Sequence, residues 1–182
     1  MRLLVDLDGV LADWDSNFDK HIIENWSHLP EMPLTPVRRS FNFYDGVSPD
    51  VADGISAIMN HPGFYAELQP IPGGKQALHA MLEEGHDVHI CTAPWLTNPT
   101  CASDKLAWVE EHIGEGWAKR TVITKDKTLV RGDILIDDKT VITGSMVPEW
   151  EHVYFDRPYN EHIKEKKRLF QWKDWRHVLF TD

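Results

Sequence analysis

The strongest constraint on the fold is a repeated alternation of short apolar runs with segments of helical periodicity. Strand-like runs stand at Leu3–Asp6, Val88–Cys91, Thr121–Thr124, Asp133–Asp138 and His152–Phe155. Between them, apolar residues recur at helical spacing, in one segment that closes at Gly85 and in another that closes at Gly114. This alternation predicts an α/β fold, with a central parallel sheet and crossover helices on both of its faces.

The segment from residue 13 to residue 70 interrupts this rhythm. It is dense in aromatic residues and prolines, with helix-like stretches at 14–26 and 49–60. A chain of 182 residues can bury one main core with a small appended lobe. We therefore predict a core domain formed by residues 1–12 and 71–182, and a small helical cap formed by residues 13–70 and inserted after the first strand.

Composition and charge exclude several classes of protein. The formal net charge of -10 disfavours binding to nucleic acid, which requires clustered cations. The densest basic run, Lys164, Lys166, Lys167 and Arg168, is interpreted as a solvent-exposed helix face. No apolar stretch approaches the roughly 18 residues of a membrane span, and the N-terminus does not resemble a signal peptide. We expect a cytoplasmic protein with no membrane partner.

Cysteine and histidine patterns offer no alternative chemistry. Cys91 and Cys101 lack the spacing of a disulfide framework or a zinc site, and we expect Cys91 to be part of the core. The ten histidines include no close ligand pair of the His-x-x-x-His type. The glycine-rich fingerprints typical of ATPases and dehydrogenases are also absent from the sequence.

Polar residues follow three of the predicted strands at their carboxyl ends, where ligands bind in open parallel sheets. Asp6 and Asp8 are two residues apart, so an extended backbone turns both carboxylates to one side. Gly9 permits a tight exit from the strand. Asp6 is then free to attack a phosphorus atom, and Asp8 is free to exchange a proton with the leaving oxygen.

Two carboxylates facing a phosphate dianion would repel it, so a cation is required. Asp137 and Asp138 end another predicted strand and supply the oxygen ligands that magnesium prefers. The transferring phosphoryl group also needs a hydrogen-bond donor and a lysine, and Thr92 with either Lys105 or Lys127 can provide them. The order of these elements along the chain favours catalysis over the alternative of isolated turns and caps.

The runs DLDGVLAD, ICTAP, TKDKT, LIDD and WEHVYFDRPYN, in that order, resemble the haloacid dehalogenase superfamily and, more narrowly, the 5'(3')-deoxyribonucleotidase family. The resemblance implies a Rossmann-like three-layer sandwich with a cap. It implies an aspartyl-phosphate on Asp6, with Asp8 as general acid and base. Magnesium would be held by Asp6, by the main-chain carbonyl of Asp8 and by the acidic pair, of which Asp138 is the better candidate.

The same resemblance assigns substrate contacts. Thr92, Ala93 and Lys127 would bind the phosphate with Lys105 close by, and cap aromatics would stack on the base of a deoxynucleoside monophosphate. Trp14 and Phe41 stand at such positions, in or near the cap run Phe41, Asn42 and Phe43. The sequence departs from the family pattern at Ala93, where serine is usual, at this cap run, and at Met59, where tryptophan is common.

The expected function is therefore magnesium-dependent hydrolysis of a phosphomonoester through an aspartyl-phosphate, with a small nucleoside monophosphate as substrate. The alternatives are a phosphatase for another metabolite or a polynucleotide 3' end, a phosphotransferase, and a non-catalytic ligand-binding module of the same fold. Trp172 and Trp175 are interpreted as a packed tail rather than a dimer contact, and a homodimer is left open.

Overall fold

The computed structural model describes residues 1–36 and 38–180 of the chain. Its strands are β1 (Arg2–Val5), β2 (Ala12–Asp13), β3 (Gln69–Pro70), β4 (Asp87–Thr92), β5 (Thr121–Ile123), β6 (Ile134–Asp137), β7 (Glu151–Phe155) and β8 (Arg168–Leu169). Its α-helices are α1 (Trp14–Asn25), α2 (Pro49–Met59), α3 (Gly74–Glu83), α4 (Cys101–His112) and α5 (Trp175–Phe180). Short 3₁₀ helices stand at Trp117–Arg120, Lys127–Leu129 and Trp172–Asp174.

Six strands form one parallel sheet in the order β5-β4-β1-β6-β7-β8. The predicted α/β fold is therefore confirmed, and each of the five predicted strands lies within a residue or two of an observed one. Strand β1 is central, and its Val5 is in register with Ile90 of β4 and Ile136 of β6. This register brings Asp6, Thr92 and Asp137 to the same edge of the sheet.

The interior positions of the two central strands, β1 and β6, are apolar because helices cover the sheet. Leu3, Leu4 and Val5 of β1 are fully buried, as are Leu135 and Ile136 of β6. A strand buried on both faces shows a continuous apolar run rather than an alternating one. Each such side chain contributes about 1.5–3 kcal/mol to folding by leaving water. The first polar residues after these strands therefore stand at the sheet edge.

The segment between β2 and β3 lies outside the six-stranded sheet, and the two strands that flank it pair with each other. Ala12 pairs with Pro70 and Asp13 with Gln69 in an antiparallel ribbon. The predicted cap helices at 14–26 and 49–60 are confirmed as α1 and α2. Their apolar faces join the same continuous core as the sheet. The division into a core domain and a cap at residues 12/13 and 70/71 stays a prediction.

Capping residues fix where the two cap helices begin. The side chain of Asp13 accepts the main-chain N–H of Ser16 at 3.1 Å at the start of α1. At the start of α2, Ser48 accepts the N–H of Val51 at 3.4 Å, and Pro49 occupies the first turn. A capping side chain contributes about 1 kcal/mol to a helix. The orientation of α1, which carries Trp14, is thus set directly after the β2 strand.

The C-terminal part of the chain differs from one expectation and confirms another. The basic run is not a helix face, because Arg168 belongs to β8 and donates to Asp156 and to Asn160. The helical spacing of the charges there was a weak signal for a helix, and pairing of β8 with β7 decides the structure.

The two C-terminal tryptophans confirm the other expectation. Trp172 and Trp175 are 1% and 2% exposed, so both are packed in the protein interior. The described helices include none with the length and apolar character needed to traverse a lipid bilayer.

Candidate active site

A cavity of about 390 Å³ lies at the carboxyl edge of β1, β4 and β6, beneath the cap segment. Eleven of the residues predicted for the site line it: Asp6, Asp8, Trp14, Phe41, Asn42, Phe43, Thr92, Ala93, Lys127, Asp137 and Asp138. Lys105, the remaining one, reaches two of these from behind, as described below. The structure thus brings all twelve predicted residues together.

Asp6 directly follows β1 and is 8% exposed. Its Oδ1 accepts the main-chain N–H of Leu7 at 2.8 Å and lies 2.8 Å from the Nζ of Lys127. No described residue donates a hydrogen bond to its other oxygen, Oδ2. Gly9 adopts a φ of 73°, and a side chain there would collide with the carboxylate of Asp138. The chain can therefore turn sharply after Asp6 and bring the acidic residues of two strands into contact.

Asp8 is held by a buried lysine. Its Oδ2 accepts from the Nζ of Lys105 at 2.6 Å, and the same ammonium donates to the Oγ1 of Thr92 at 3.2 Å. Lys105 lies on α4 and is fully buried, which excludes the alternative of a solvent-facing position on that helix. Burial raises the pKa of Asp8, the charge of Lys105 opposes that shift, and Asp6 adds to it. Asp8 is therefore able to hold a proton that its lysine partner helps it to release.

Lys127 bridges two strand ends. It lies in a 3₁₀ helix after β5, is 6% exposed, and places its Nζ 2.6 Å from Asp137 and 2.8 Å from Asp6. Burial favours the neutral amine, but Asp137 and then Asp6 outweigh it and raise the pKa of Lys127. The lysine therefore stays charged beside the carboxylate that the sequence identifies as the nucleophile.

Asp138 is in a different environment from Asp137. It is 5% exposed, and its Oδ2 accepts a hydrogen bond from the phenol of Tyr159. Burial, followed by the charges of Asp137 and Asp6, holds the pKa of Asp138 well above its usual range. Burial likewise raises the pKa of Asp137 to about 6, although Lys127 opposes the shift. Two buried acids with raised pKa values form a site whose charge is not balanced by the protein alone.

The carboxylates of Asp6, Asp137 and Asp138 form a group that could hold a metal ion, with one oxygen of each within 4.8 Å of the others. All three donors are oxygens, the ligand type that hard divalent cations such as magnesium prefer. A cation there would offset the unfavourable burial of Asp137 and Asp138. The residues present therefore fit a divalent metal. The side chain of Asp8 stands outside this group, and the role of its main-chain carbonyl stays a prediction.

The segment that is predicted to be a cap contributes an aromatic wall to the cavity. Trp14 stacks on Phe18 with ring centroids 4.7 Å apart and contacts Phe43 at the same distance. Phe41 is half-buried and meets the ring of Tyr159 edge-on at 5.7 Å. Trp14 is only 7% exposed, so it is both part of the cap core and part of the cavity lining. Flat apolar surfaces of this kind suit a planar ring.

Several cavity residues were not predicted from the sequence. Tyr159 follows β7 in the run FDRPYN, and the same rule that identified polar residues at strand ends could have found it. Asp15 and Arg38 form a buried ion pair at 2.5 Å, with the guanidinium 4.0 Å from the ring centres of both Phe43 and Tyr159. No local signal predicts this pair, because its members are 23 positions apart in the chain.

A likeness to solved structures supports the fold. A crystal structure of a HAD family hydrolase from Deinococcus radiodurans R1, with bound phosphate and sodium, aligns with a TM-score of 0.62. The alignment covers 98% of this chain and 94% of that one at 16% sequence identity. At this identity the likeness concerns the fold alone, which is that of the haloacid dehalogenase hydrolases.

Sequence comparison defines the family. The cytosolic-type 5'(3')-deoxyribonucleotidase of Homo sapiens is 38% identical, over 98% of this chain and 93% of its own length. The mitochondrial 5'(3')-deoxyribonucleotidase of Mus musculus is 36% identical, over 98% of this chain and 85% of its own length. The model of the family described as "5' nucleotidase, deoxy (Pyrimidine), cytosolic type C protein" matches residues 1–181. This chain therefore belongs to the 5'(3')-deoxyribonucleotidase family, within the haloacid dehalogenase fold.

Proposed function

We propose that this protein hydrolyses deoxynucleoside monophosphates to the nucleoside and inorganic phosphate, with a magnesium ion at Asp6, Asp137 and Asp138. One observation carries the proposal. A carboxylate oxygen of Asp6 without a hydrogen-bond donor lies in the same cavity as Asp8, whose pKa is raised. These are the two groups that phosphomonoester hydrolysis through a covalent intermediate requires.

In the first half of the reaction, Oδ2 of Asp6 attacks phosphorus and the bond from phosphorus to the ester oxygen breaks. Asp8 donates its proton to that oxygen, so the nucleoside leaves as an alcohol. The resulting carboxylate of Asp8 is stabilised by the ammonium of Lys105, 2.6 Å away. The phosphoryl group is then bonded to Asp6.

In the second half, a water molecule attacks the phosphorus atom of the phosphorylated Asp6. Asp8 accepts a proton from this water, and the bond from phosphorus to Asp6 breaks to release inorganic phosphate. Both Asp6 and Asp8 return to their starting states, so the cycle is balanced. General acid–base help of this type contributes about 10²–10⁴-fold to rate.

Lysines and the cation offset the charge of the phosphate. Lys127 places its ammonium 2.8 Å from Asp6, where it can neutralise oxygens of the transferring group. Thr92 is 1% exposed, and its hydroxyl, which also accepts from Lys105, can donate to the phosphate, as can the main chain at Ala93. A bound magnesium ion supplies a Lewis acid that neutralises phosphate charge and lets the anion approach the carboxylates.

The cavity supports a small planar-ring substrate. Its volume of about 390 Å³ is in the range of small-molecule sites, and its cap wall presents Trp14, Phe41 and Phe43. The relatives named as deoxyribonucleotidases support a deoxynucleotide in particular. Stacking on such aromatic side chains contributes about 1–3 kcal/mol per base. Asn42, an exposed residue of the cavity lining, donates to Asp45 and accepts the N–H of Tyr44, so its contact with a base would replace one of these hydrogen bonds.

The experiment is a phosphate-release assay on deoxynucleoside, ribonucleoside and sugar monophosphates, with magnesium or with a chelator. Asp6→Asn is the blank, and Asp53→Asn, an exposed acid on α2, is the matched control. We expect magnesium-dependent release that favours deoxynucleotides, vanishes in Asp6→Asn and persists in Asp53→Asn. Release from sugar phosphates alone would refute the substrate, and inactivity on the whole panel would refute the reaction. Transfer of phosphate to an added alcohol in place of water would identify a phosphotransferase.

The location and assembly of the protein remain part of the proposal. A cytoplasmic location is supported by the cytosolic-type relative, although another relative is named as mitochondrial. A homodimer stays a prediction, which sedimentation of the purified protein would test.

A further inference from the structure

A second polar cluster lies next to Lys127 in the chain, at the protein surface and outside the catalytic residues. The carboxylate of Asp126 accepts hydrogen bonds from the main-chain N–H and the hydroxyl of Thr128, and from the N–H and hydroxyl of Ser145. The N–H of Thr128 is 3.0 Å away, and the N–H and Oγ of Ser145 are 2.8 Å and 2.7 Å away. One carboxylate thus ties together two segments that are 19 positions apart. We call this set of residues, 126, 128 and 145, the Asp126 cluster.

The packing around this cluster is tight. A side chain on Gly144 would overlap both the carboxylate of Asp126 and the hydroxyl of Thr128. The same hydroxyl accepts the N–H of Met146 at 3.1 Å. Segment 144–146 therefore packs directly against the turn that contains Asp126. Only glycine at position 144 permits the two main chains to come this close.

Lys127 lies in the middle of this turn. Asp126 caps the 3₁₀ helix Lys127–Leu129 by accepting the N–H of Thr128, so the main chain on both sides of Lys127 is fixed. The lysine side chain itself has several rotatable bonds, and among the described residues Asp6 and Asp137 alone hold its ammonium. These two carboxylates also belong to the metal-binding group. When they turn to a cation and a phosphoryl group, the direction of Lys127 depends on its main chain.

We propose that Asp126 is a positioning residue that holds Lys127 in line with the nucleophile. This inference rests on the proposed function for its kinetic consequence, but not for its structural one. Asp126 is not among the residues that line the cavity, so in this inference it acts through Lys127. Its four hydrogen bonds fix the turn that carries Lys127 against segment 144–146.

A double-mutant cycle tests the inference. We expect Asp126→Asn to lower kcat/KM by about 10- to 100-fold, the cost of misplacing a reacting group by about 1 Å. In the Lys127→Ala background the same substitution is expected to change kcat/KM by no more than about twofold, because the ammonium that Asp126 positions is absent. A loss of equal size in both backgrounds would show that Asp126 acts elsewhere and would overturn the inference.

Further variants separate positioning from folding. Gly144→Ala disturbs the contact between segment 144–146 and Asp126 from the side of that segment. We expect it to lower kcat/KM as Asp126→Asn does, and to have little effect in the Lys127→Ala background. Thr128→Ser keeps both donors and is expected to keep activity, whereas Thr128→Val removes the hydroxyl and is expected to lose it. Asp53→Asn controls for the loss of one surface charge. A variant set that lowers only the unfolding temperature, with kcat and KM unchanged, would refute positioning.

Binding of inorganic phosphate in the presence of magnesium provides a readout that does not depend on the substrate. Calorimetry on the full chain should show weaker binding in Asp126→Asn and Gly144→Ala, and unchanged binding in Thr128→Ser and Asp53→Asn. If no nucleotide is hydrolysed by the unaltered protein, the proposed function fails while this comparison still decides the inference. Equal phosphate affinity in Asp126→Asn and the unaltered protein would overturn it.

Discussion

Replacing Lys105 by methionine removes the ammonium that donates to Asp8 while keeping an unbranched apolar stem of similar length. Lys105 is fully buried, and its Nζ lies 2.6 Å from Asp8 and 3.2 Å from the hydroxyl of Thr92. The ammonium also lies 5.1 Å from the ring centre of Tyr65. Lys105→Met therefore leaves the carboxyl group of Asp8 without its ion-pair partner in a partly buried site next to Asp6.

The expected cost follows from breaking a buried pair on one side. Such a change destabilises a protein by about 3–5 kcal/mol, because an uncompensated charge stays behind. The side chain of Asp8 is 24% exposed, which places the expected loss near the lower limit, at about 3 kcal/mol. Loss of Lys105 also removes the charge that lowers the pKa of Asp8, so the proton is released less readily. We expect kcat/KM to fall by at least about 100-fold.

Urea unfolding of single and double variants measures the stability term. Asp8→Asn removes the charge that Lys105→Met would strand, so the double variant should lose less free energy of unfolding than the two single losses added together. A coupling energy below about 0.5 kcal/mol would show that the two groups are independent and would refute the reasoning. Leu106→Met, at a half-exposed position next along α4, controls for the introduced methionine.

Three other perturbations have expected outcomes. Tyr159→Phe removes the phenol that donates to Asp138, and we expect a loss of about 10- to 100-fold in apparent magnesium affinity, measured by titrating activity with magnesium. Burial raises the pKa of the Cys91 thiol to about 12, so iodoacetamide at pH 8 should label it, by mass spectrometry, only after unfolding. Hydrogen bonds from Thr128 and Ser145 lower the pKa of Asp126 to about 2. Its stabilising contribution is present above about pH 4 and is lost as the pH falls towards 2, so the stability difference between Asp126→Asn and the unaltered protein should shrink over that window in urea titrations.

Much of the fold follows from the sequence because parallel strands buried on both faces leave an unmistakable pattern. The run from Leu3 to Val5 and the run from Ile134 to Ile136 are apolar throughout and end in carboxylates. Strand β8 was missed, since two residues carry no periodicity. The basic segment around Arg168 was wrongly assigned to a helix because charge spacing says little where backbone pairing with β7 decides the structure.

The site was predictable as far as strand ends determine it. Asp6, Thr92 and Asp137 follow from topology alone, because register fixes which residues share a sheet edge. The choice between Lys105 and Lys127 was left open, and the structure shows that each contacts a different carboxylate. Such a distinction depends on how a helix packs against the sheet, which is a tertiary property.

The charges of the buried site predict that phosphate binds only with a cation. Four carboxyl groups, Asp6, Asp8, Asp137 and Asp138, face two buried ammonium groups, those of Lys105 and Lys127. With these six groups ionised, the buried acids outnumber the buried ammonium groups by two, an excess that opposes a phosphate dianion at close range even though Lys125 and Lys139 also line the cavity. A divalent cation removes that excess, and a proton on Asp8 then makes the site attractive to an anion.

Removing magnesium should therefore weaken phosphate binding and not only stop turnover. Calorimetric titration with inorganic phosphate is expected to show at least about 100-fold weaker binding in the presence of a chelator, or about 3 kcal/mol. Asp138→Asn removes one negative charge but also one metal ligand, so it should weaken phosphate binding with magnesium and leave binding without magnesium no weaker. Equal phosphate affinity with and without magnesium in the unaltered protein would contradict the charge argument, because the lysines alone would then suffice to hold the anion beside its acidic neighbours.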